Sequence, residues 1–571
     1  MVNLKINGRP VSVPEGSTIL QAAKAAKVKI PTLCFLKGVQ CVGSCRMCLV
    51  EATGARGLVA ACVYPVSEGM EVQTNTPRVR KSRKTTVELI LSTHKKKCLS
   101  CVRSMNCELQ KLALEYNAEE DRFGTDHDLK PIDDLSASIV RDNSKCVMCT
   151  RCVAACNLQT VGVIGPKNRG YAKVIGSPFD ASLAHTSCVN CGQCVVACPV
   201  GALYEKSSIA DVWGAIVNPE KHVVFFTAPS VKATLGEAFG LPVGTNVEKK
   251  MVAAIKQLGD VKCFNMDITA DLTIMEEANE LLKHLMQGGK TPMFTSCCPG
   301  WVKFCEHNYP EFLPNLSTCK SPQEMFSAIL KTYYCEKHGI KPENLYVVSV
   351  IPCTAKKFEV TREELGHYTD AAVTTRELAK MIKEAGIDFA NIHETDYDAP
   401  FGVASGAGAI FGATGGVMEA ALRTAAHVLG GKGAPVEFKE VRGTRGLKTA
   451  EYTVGGNTVK VAVAHGLGNA RRVLEQIKSG KADYSFVEVM ACPGGCINGG
   501  GQPYAHDEIR NNVELKELRA QALYEHDKDS KYRCSHENPE VEKLYKEFLG
   551  QPLGSKSHEL LHTHYVPREK Y

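Results

Sequence analysis

Short apolar runs alternate with longer amphipathic stretches through the second half of the chain. Four runs have the length of buried strands, and they lie at 223–227, 345–350, 459–464 and 486–490. Stretches with helical periodicity lie between them at 271–287 and 375–385. This alternation predicts an α/β architecture with parallel sheets for residues 209–571. In such folds, sites form in the loops at the carboxyl ends of the strands.

The first 77 residues follow a different pattern. Two short strands, LKING and PVSVPEG, precede a helix at 17–27 that Ser17 or Thr18 caps. This order predicts a β-grasp-like domain at 1–77. The full length of 571 residues exceeds what one core supports, so we expect a multidomain protein.

Charge and hydropathy narrow the classes of function. No apolar run reaches the roughly 18 residues of a membrane helix, and no leader pattern precedes the first strand. We therefore expect a cytoplasmic protein without a membrane span. The net charge of +6 includes small basic clusters at 78–84 and 94–97. These clusters indicate solvated surface or, alternatively, a docking patch for an acidic electron carrier. Aromatic residues do not interleave with them, which disfavours nucleic-acid binding.

The 26 cysteines point to metal, because a long chain of this type lacks the framework of a small disulfide-rich protein. Within 1–77, four cysteines with one CxxC pair can hold a [2Fe–2S] cluster, and they are Cys34, Cys45, Cys48 and Cys62. Cys41 is a rival ligand, because Cys41, Cys45 and Cys48 approach the plant-type spacing.

A histidine joins the next group of cysteines, in a second predicted domain at 78–136. The group comprises His94, Cys98, Cys101 and Cys107, a set that suits either zinc or a [4Fe–4S] cluster. We interpret His94 as a ligand, because it stands one helical turn before Cys98. An imidazole in place of a thiolate removes one negative charge, which is expected to raise the potential of the cluster.

Two repeats of C-x2-C-x2-C-x3-C define a third predicted domain at 137–208. The first repeat is Cys146, Cys149, Cys152 and Cys156, and the second is Cys188, Cys191, Cys194 and Cys198. In bacterial two-cluster ferredoxins the fourth cysteine of each run binds the other cluster. Cys198 should therefore join the first three, and Cys156 should join Cys188, Cys191 and Cys194. Residues 1–208 are therefore expected to bind four iron–sulfur clusters that pass electrons in series.

Three further loops carry cysteines directly after predicted strands. Their sequences are TSCCPGW at 295–301, IPCTAKK at 351–357 and MACPGGCINGGGQP at 490–503. Loops from three strand ends can converge on one buried metal site. The glycines of the third loop allow its backbone to approach a bulky ligand closely.

In order and separation, these loops resemble the three signatures of the catalytic domain of [FeFe]-hydrogenases, and the likeness extends over nearly the whole chain. The segments PMFTSCCPGW and GAGAIFGATGGVMEAALRTA strengthen it. The endings HGLGNAR and HELLHTHY are similar to the hydrogenase subunit of multi-subunit NAD(P)-linked enzymes. So is Pro493, where monomeric clostridial enzymes usually carry His. The resemblance also favours Cys34 over Cys41.

The resemblance implies an H-cluster, in which a [4Fe–4S] cubane is joined to a di-iron subsite carrying CO, cyanide and a bridging dithiolate. The cubane ligands would be Cys298, Cys353, Cys492 and Cys496, with Cys496 bridging to the di-iron subsite. Lys356 and the pair Pro229–Ser230 would hydrogen-bond cyanide. The remaining pocket residues would be Gln323, Phe411 and Met490.

The family reaction is reversible, heterolytic cleavage of H2 at the di-iron site. The resemblance makes Cys297 the first proton relay, followed by Glu277, Ser317 and Glu280. Glu277 and Glu280 lie three apart on the predicted helix and share a face. His284 stands one turn further, at a position that is often Arg in the family. A solvated acidic helix face is the alternative interpretation of this pair.

The resemblance also implies partners. No GxGxxG motif introduces a βαβ unit, so the chain is not expected to bind NAD(P) itself. A flavin- and NAD(P)-binding subunit, a small [2Fe–2S] subunit, ferredoxin and maturation proteins are the expected partners, and electron bifurcation follows by analogy alone. An electron-transfer subunit without H2 chemistry and an H2 sensor are the alternative functions.

Several residues depart from the family pattern or lie outside it. Ile351 stands where Met is common, and Ala355 stands where Ser is common, which implies local tuning. The cysteines without a motif are expected to be small buried hydrophobic residues, and they are Cys41, Cys263, Cys305, Cys319, Cys335 and Cys534.

Overall fold

The computed structural model describes residues 1–124, 132–287, 291–430, 435–454 and 457–570. Within these ranges, no helix has both the length and the apolar composition needed to span a bilayer.

A five-stranded mixed sheet forms the N-terminal part. In spatial order its strands are Arg9–Val13, Val2–Ile6, Glu71–Gln73, Leu49–Ala52 and Val59–Ala60. The first two strands pair antiparallel, as expected for a hairpin, and Val2–Ile6 pairs parallel with Glu71–Gln73. The helix Ile19–Ala25 packs on this sheet through Ile19 and its buried alanines. Thr18, and not Ser17, caps this helix, because its Oγ1 accepts the backbone N–H of Gln21 at 3.3 Å.

Two packed helices, Pro77–Leu91 and Glu108–Glu115, carry the next segment. The basic cluster at 78–84 is not wholly solvated, and for Arg83 that interpretation is wrong. Arg83 is buried, and its guanidinium donates to the carbonyl oxygen of Leu49 at 2.6 Å and to the hydroxyl of Tyr116 at 3.3 Å. These two acceptors replace the water that the charge loses.

The repeated cysteine motifs fold as two similar halves. Their helices, Arg151–Leu158 and Gln193–Ala197, pack against each other, and each follows a residue with left-handed backbone, Thr150 or Gly192. A three-stranded sheet and a two-stranded ribbon flank them. The strands are Leu203–Glu205, Ile139–Asp142 and Ile132–Asp133, with Gly165–Lys167 and Val174–Gly176.

Two four-stranded sheets form the C-terminal region. The first is parallel throughout, in the order Val261–Asn265, His222–Thr227, Leu345–Ile351 and Ala371–Thr374. The second has the order Met293–Phe294, Phe486–Met490, Asn457–His465 and Leu447–Val454. The prediction of parallel sheets is wrong for the last strand, which pairs antiparallel with Asn457–His465. Only two residues of sequence separate these two strands, and so short a connection can join only antiparallel neighbours.

Helices cover both sheets. They are Ile209–Ile216, Glu248–Lys256, Asp267–Gln287, Pro299–Asn308, Pro322–Ile329, Cys335–His338, Ala355–Glu359, Thr375–Glu384, Gly406–Ile410, Gly416–Gly430 and Leu467–Lys478. Those of the last part of the chain are Asp507–Asn512, Leu515–Asp529, Pro539–Leu544 and Ser555–Leu561. Burial of the first sheet on both faces explains why its strands read as unbroken apolar runs, for example at Phe225 and Phe226.

Candidate active site and cluster-binding sites

The carboxyl ends of both sheets face a cavity with an empty volume of about 740 Å³. Ala228 and Ile351 of the first sheet line it, and Met490 of the second sheet lines it from the other side. The lining includes every residue that the sequence placed around the catalytic metal, namely Pro229, Ser230, Cys298, Gln323, Cys353, Lys356, Phe411, Met490, Cys492 and Cys496. Three loops that are distant in sequence thus bring four cysteines to one cavity.

Close backbone packing holds the third loop in place. Gly495 has φ of +92°, and a Cβ there would lie 2.7 Å from the backbone nitrogen of Thr414. A Cβ on Gly499 would lie 2.3 Å from the carbonyl oxygen of Pro352. Neither position tolerates a side chain without movement of backbone, which explains the glycines around Cys496.

The four cysteines form a donor set that suits a metal cluster. Burial raises the pKa of each thiol, that of Cys353 to about 12. Neighbouring thiols add to this rise at Cys353, Cys492 and Cys496, because several thiolates would repel one another. Lys356 is the single lysine or arginine among the described residues of the lining. A metal cation can compensate such thiolates and release their protons, so the residues present fit a cluster.

A buried polar network orients two groups at the cavity wall. The ammonium of Lys356 lies 2.7 Å from Oε2 of Glu359 and 3.3 Å from the carbonyl oxygen of Cys297. Burial alone would lower the pKa of Lys356, but the Glu359 carboxylate outweighs it and the pKa is raised. The amide of Gln323 donates to Glu359 at 3.1 Å and accepts from Ser349 at 2.8 Å. Sequence reasoning missed Glu359, although its i,i+3 spacing from Lys356 was a usable signal.

Buried carboxylic acids stand beside Cys297. Glu277 and Glu280 are 1% and 8% exposed, which excludes a solvated helix face. Ser317 donates to Oε2 of Glu280 at 2.6 Å. Burial, and then the charge of Glu280, raise the pKa of Glu277 well above its ordinary range. Burial, and then Glu277, likewise raise the pKa of the Cys297 thiol. Both burial and the charge of Glu280 therefore favour the protonated form of Glu277, the form that can donate a proton.

His284 lies one turn beyond Glu280 on the helix Asp267–Gln287 and is half-buried. The role of His284 in the relay stays a prediction.

In the first domain, Cys34 lies with Cys45, and Cys48 lies with Cys62. The backbone N–H of Cys34 is 3.3 Å from Sγ of Cys45, and the sulfurs of Cys48 and Cys62 are 3.4 Å apart. The thiol of Cys41 instead donates to the carbonyl oxygen of Cys62 at 2.7 Å. The expectation that Cys41 is buried is wrong, because its side chain lies at the surface.

The second group of ligands surrounds a cavity of about 280 Å³, lined by His94, Cys98, Cys101 and Cys107. The imidazole Nδ1 of His94 lies 2.9 Å from the carbonyl oxygen of Lys145. A carbonyl can only accept, so Nδ1 carries the proton and Nε2 bears the lone pair that a metal takes. Gly201 packs against Cys101, since a Cβ there would lie 2.5 Å from its sulfur.

The repeated motifs cross over as their spacing predicted. One cavity of about 380 Å³ is lined by Cys198 together with Cys146, Cys149 and Cys152. Cys156 lies instead with the second group, because its charge and that of Cys188 both act on the Cys191 thiol. Burial, and then the charge of Cys188, raise the pKa of Cys156 to about 11.

The second of these groups abuts the catalytic cavity. Sγ of Cys492 lies 3.8 Å from the carbonyl oxygen of Cys191. The hydroxyl of Thr354 donates to the carbonyl oxygen of Asn190 at 2.7 Å, and the amide of Gln193 donates to that of Asn498 at 3.0 Å. These contacts join the ferredoxin-like part to two of the three catalytic loops.

Five cysteines without a motif are buried, as expected, and they are Cys263, Cys305, Cys319, Cys335 and Cys534. Cys319 additionally lies 3.8 Å from Oε2 of Glu280.

Models of known protein families match most of the chain. The C-terminal domain of the iron-only hydrogenase large subunit matches residues 221–500. Ahead of it, a 2Fe-2S iron-sulfur cluster binding domain matches 1–77, the NADH-ubiquinone oxidoreductase-G iron-sulfur binding region matches 83–122, and a 4Fe-4S dicluster domain matches 145–202. The iron hydrogenase small subunit matches 513–568, a division that no pattern within 209–571 had indicated.

Individual relatives agree with these matches. The chain is 49% identical to the NADP-reducing hydrogenase subunit HndD of Solidesulfovibrio fructosivorans, covering 100% of both chains. It is 42% identical to iron hydrogenase 1 of Clostridium pasteurianum over 99% of this chain and 100% of that one. Among solved structures, a variant of apo [FeFe]-hydrogenase HydA1 from Chlamydomonas reinhardtii has 40% identity and a TM-score of 0.57, covering 64% of this chain and all of that one. On this evidence, the chain belongs to the [FeFe]-hydrogenase family.

Proposed function

We propose that this chain is the hydrogenase subunit of an NAD(P)-linked enzyme and that it interconverts H2 with protons and electrons. The observation that carries the proposal is the cavity itself. It combines four cavity-lining thiols, the charged Lys356 and a pair of buried acids close to Cys297. The full-length similarity to an NADP-reducing hydrogenase subunit supports the link to NAD(P).

The catalytic cofactor is an H-cluster, held by Cys298, Cys353, Cys492 and Cys496. When bound, it supplies the di-iron site at which H2 is cleaved heterolytically. Lys356 and Ser230 would donate hydrogen bonds to its cyanide ligands, and the amide of Gln502 donates to the hydroxyl of Ser230 at 3.3 Å. The side chains of Gln323, Phe411 and Met490 close the cavity and exclude water, and Pro229 brings the backbone next to the cofactor.

Protons leave along the wall formed by the helix Asp267–Gln287. Cys297 exchanges a proton with the cofactor side, and Glu277 holds the next one because its pKa is raised. Ser317 then links Glu277 to Glu280, to which it donates at 2.6 Å. His284 is the exit residue that the family resemblance assigns.

Electrons would leave through the wall that contacts residues 188–198. The cluster held by Cys188, Cys191, Cys194 and Cys156 would be first, because the carbonyl oxygen of Cys191 lies 3.8 Å from Sγ of Cys492. The cluster held by Cys146, Cys149, Cys152 and Cys198 would follow, and the His94 cluster and the [2Fe–2S] cluster would lie beyond it. These are three accessory [4Fe–4S] clusters and one [2Fe–2S] cluster, in domains 1–77, 78–136 and 137–208 ahead of a catalytic domain at 209–571.

The chain works in a multi-subunit complex. A flavin- and NAD(P)-binding subunit and a small [2Fe–2S] subunit accept its electrons, and ferredoxin is a second carrier. Maturation proteins install the di-iron subsite, because protein thiols supply only one of its links. The assembly is cytoplasmic.

The test is anaerobic H2 oxidation with a viologen dye by protein loaded with a synthetic di-iron cofactor. Cys297→Ala should lower turnover by about 10²- to 10⁴-fold, because it removes the first proton acceptor. Infrared bands of CO and cyanide should be retained. Cys335→Ala is the control for loss of a thiol, since Cys335 is buried in the core and does not line the cavity.

Equal activity of Cys297→Ala and the unaltered protein would show that Cys297 is not the proton relay, but it would still support the hydrogenase function. Absence of activity, despite infrared evidence of loading, would favour the electron-transfer or H2-sensor function.

A further inference from the structure

A second hydrogen-bonded branch leaves the acidic row at Glu280. The backbone N–H and the hydroxyl of Thr318 both lie 3.1 Å from Oε1 of Glu280. The same hydroxyl lies 2.8 Å from Nδ1 of His562. An unbroken path of three side chains therefore runs from Glu280 to an imidazole that the relay described above does not use.

The C-terminal segment of the chain holds His562 in this position. The N–H of Lys320 donates to the carbonyl oxygen of Leu561 at 2.7 Å, and the N–H of Thr563 donates to that of Thr318 at 2.8 Å. Cys319 and His562 form an antiparallel bridge between these bonds. His562 thus lies in the part of the chain that matches the small subunit, and backbone hydrogen bonds fix it to the segment that carries Ser317 and Thr318.

A buried carboxylate faces the other imidazole nitrogen. Nε2 of His562 lies 3.1 Å from Oε2 of Glu276, which also accepts the N–H of Leu553 at 2.8 Å. The hydroxyls of Tyr545 and Ser557 donate to its Oε1. Burial raises the pKa of Glu276, but these hydrogen bonds outweigh burial and lower it. Glu276 is therefore an anion that stabilises a positive charge on His562.

We propose that Thr318 and His562 form a second proton exit from Glu280; the proposal rests on the relay from Cys297 to Glu280 described above. In the resting arrangement, Nε2–H of neutral His562 donates to Glu276, and the Thr318 hydroxyl donates to Nδ1. When Glu280 is protonated, its proton passes to the Thr318 oxygen as the hydroxyl proton passes to Nδ1. The products are the Glu280 carboxylate and the His562 imidazolium, so protons and charge balance.

The exposed side chain of His558 covers one face of His562. His562 is 5% exposed, whereas His558, one turn earlier on the helix Ser555–Leu561, is exposed and stacks on it with ring centroids 4.7 Å apart. In the proposed exit, rotation of the His558 ring opens this face of His562 to water. The titratable side chains in contact with His562 are Glu276 and His558, Glu280 is joined to it through Thr318, and Cys319 is its backbone bridge partner.

The test compares hydroxyl variants at Thr318 in a His284→Gln background, because parallel exits compensate for each other. Thr318→Val removes the hydroxyl at nearly constant volume and keeps the backbone N–H on Glu280. We expect it to lower kcat for H2 oxidation by about 10-fold or more, with unchanged KM for H2 and a larger solvent isotope effect. Thr318→Ser should restore kcat to within about 2-fold, since it returns the hydroxyl.

A second measurement follows the protonation of Glu280 directly and does not depend on turnover. In infrared difference spectra, the carboxyl C=O stretch that Glu280→Gln abolishes should persist longer after H2 is added to Thr318→Val. His562→Gln should reproduce the Thr318→Val result, because its amide keeps hydrogen bonds but cannot carry the proton. His536→Gln is the matched control, since His536 belongs to another stacked pair, with ring centroids 4.0 Å apart.

The proposal is overturned if Thr318→Val and His562→Gln keep the kcat, isotope effect and carboxyl band of their His284→Gln parent. Cys297→Ala in the same series separates the two hypotheses. If it is inactive while the branch variants are not impaired, the relay stands and only the branch is rejected. If it is fully active, the relay on which the branch depends is itself wrong.

Discussion

Two walls of the cavity differ in chemistry, and under the proposed function one would carry electrons and the other protons. The wall toward residues 188–198 meets the catalytic loops through sulfur, backbone and small residues, and the contact between Cys492 and Cys191 is typical of it. The wall formed by the helix Asp267–Gln287 presents carboxylic acids linked by hydroxyls, such as Glu280 and Ser317. The second wall carries the buried acids Glu277 and Glu280, and the hydroxyl of Ser317 hydrogen-bonds to both.

Under the proposed function, this difference follows from what each wall would carry. An electron moves between clusters without a continuous hydrogen-bonded chain, so the first wall needs close packing and correctly placed ligands. A proton moves only between groups within hydrogen-bonding distance, so each atom of the second wall matters. On the wall formed by the helix Asp267–Gln287, the proton wall, the loss of a single atom should therefore strongly lower turnover. On the wall toward residues 188–198, the electron wall, the larger effects should come from steric changes and from changes of cluster ligands.

The largest effect is expected for Glu277→Gln, which keeps the size of the side chain and removes its titratable proton. H2 oxidation should fall by about 10²- to 10⁴-fold, because the step after Cys297 is lost. Reduction of the accessory clusters by dithionite, followed by electron paramagnetic resonance, should be unchanged. Glu277→Asp should retain part of the activity. Full activity of the Gln variant would show that protons take a route without this acid.

A smaller effect is expected for Gly500→Ala, which tests the packing of the electron wall. Its Cβ would lie 2.5 Å from the carbonyl oxygen of Cys191 and 2.6 Å from Cα of Gly192. The added methyl group should lower the free energy of unfolding by about 1–3 kcal/mol, and with it the melting temperature measured under anaerobic conditions. Gly57→Ala is the control, because its Cβ meets nothing within 4 Å and its φ is not positive. An unchanged melting temperature for Gly500→Ala would mean that the two parts are not tightly joined there.

The same contrast explains what could be predicted from the sequence. Cluster ligands follow fixed spacings, so the crossed pairing of Cys198 with Cys146 was predictable from the repeat alone. Strand runs were predictable because burial on both faces makes them uniformly apolar. The antiparallel strand Leu447–Val454 was missed because half of its residues are polar or charged.

The proton wall could be predicted only in part. Glu277 and Glu280 share a helix, and spacing showed that they share a face. Thr318 and His562 meet only after folding, across 244 residues, and no local pattern predicts such a pair. Arg83 was assigned to the surface for a similar reason, since its acceptors at Leu49 and Tyr116 lie far from it in sequence.

The smallest effect on turnover is expected at the far end of the electron path, with His94→Cys. A thiolate adds one negative charge to the cluster, stabilises its oxidised state and should lower its potential on the order of 100 mV. The two-cluster ferredoxin sites serve as an internal control in the same redox titration and should not shift. Viologen-linked H2 oxidation should stay within about 2-fold of the unaltered protein, because protons and the H-cluster are untouched. An unshifted potential would mean that His94 is not a ligand. A large loss of turnover would mean that viologen-linked H2 oxidation depends on the potential of this cluster.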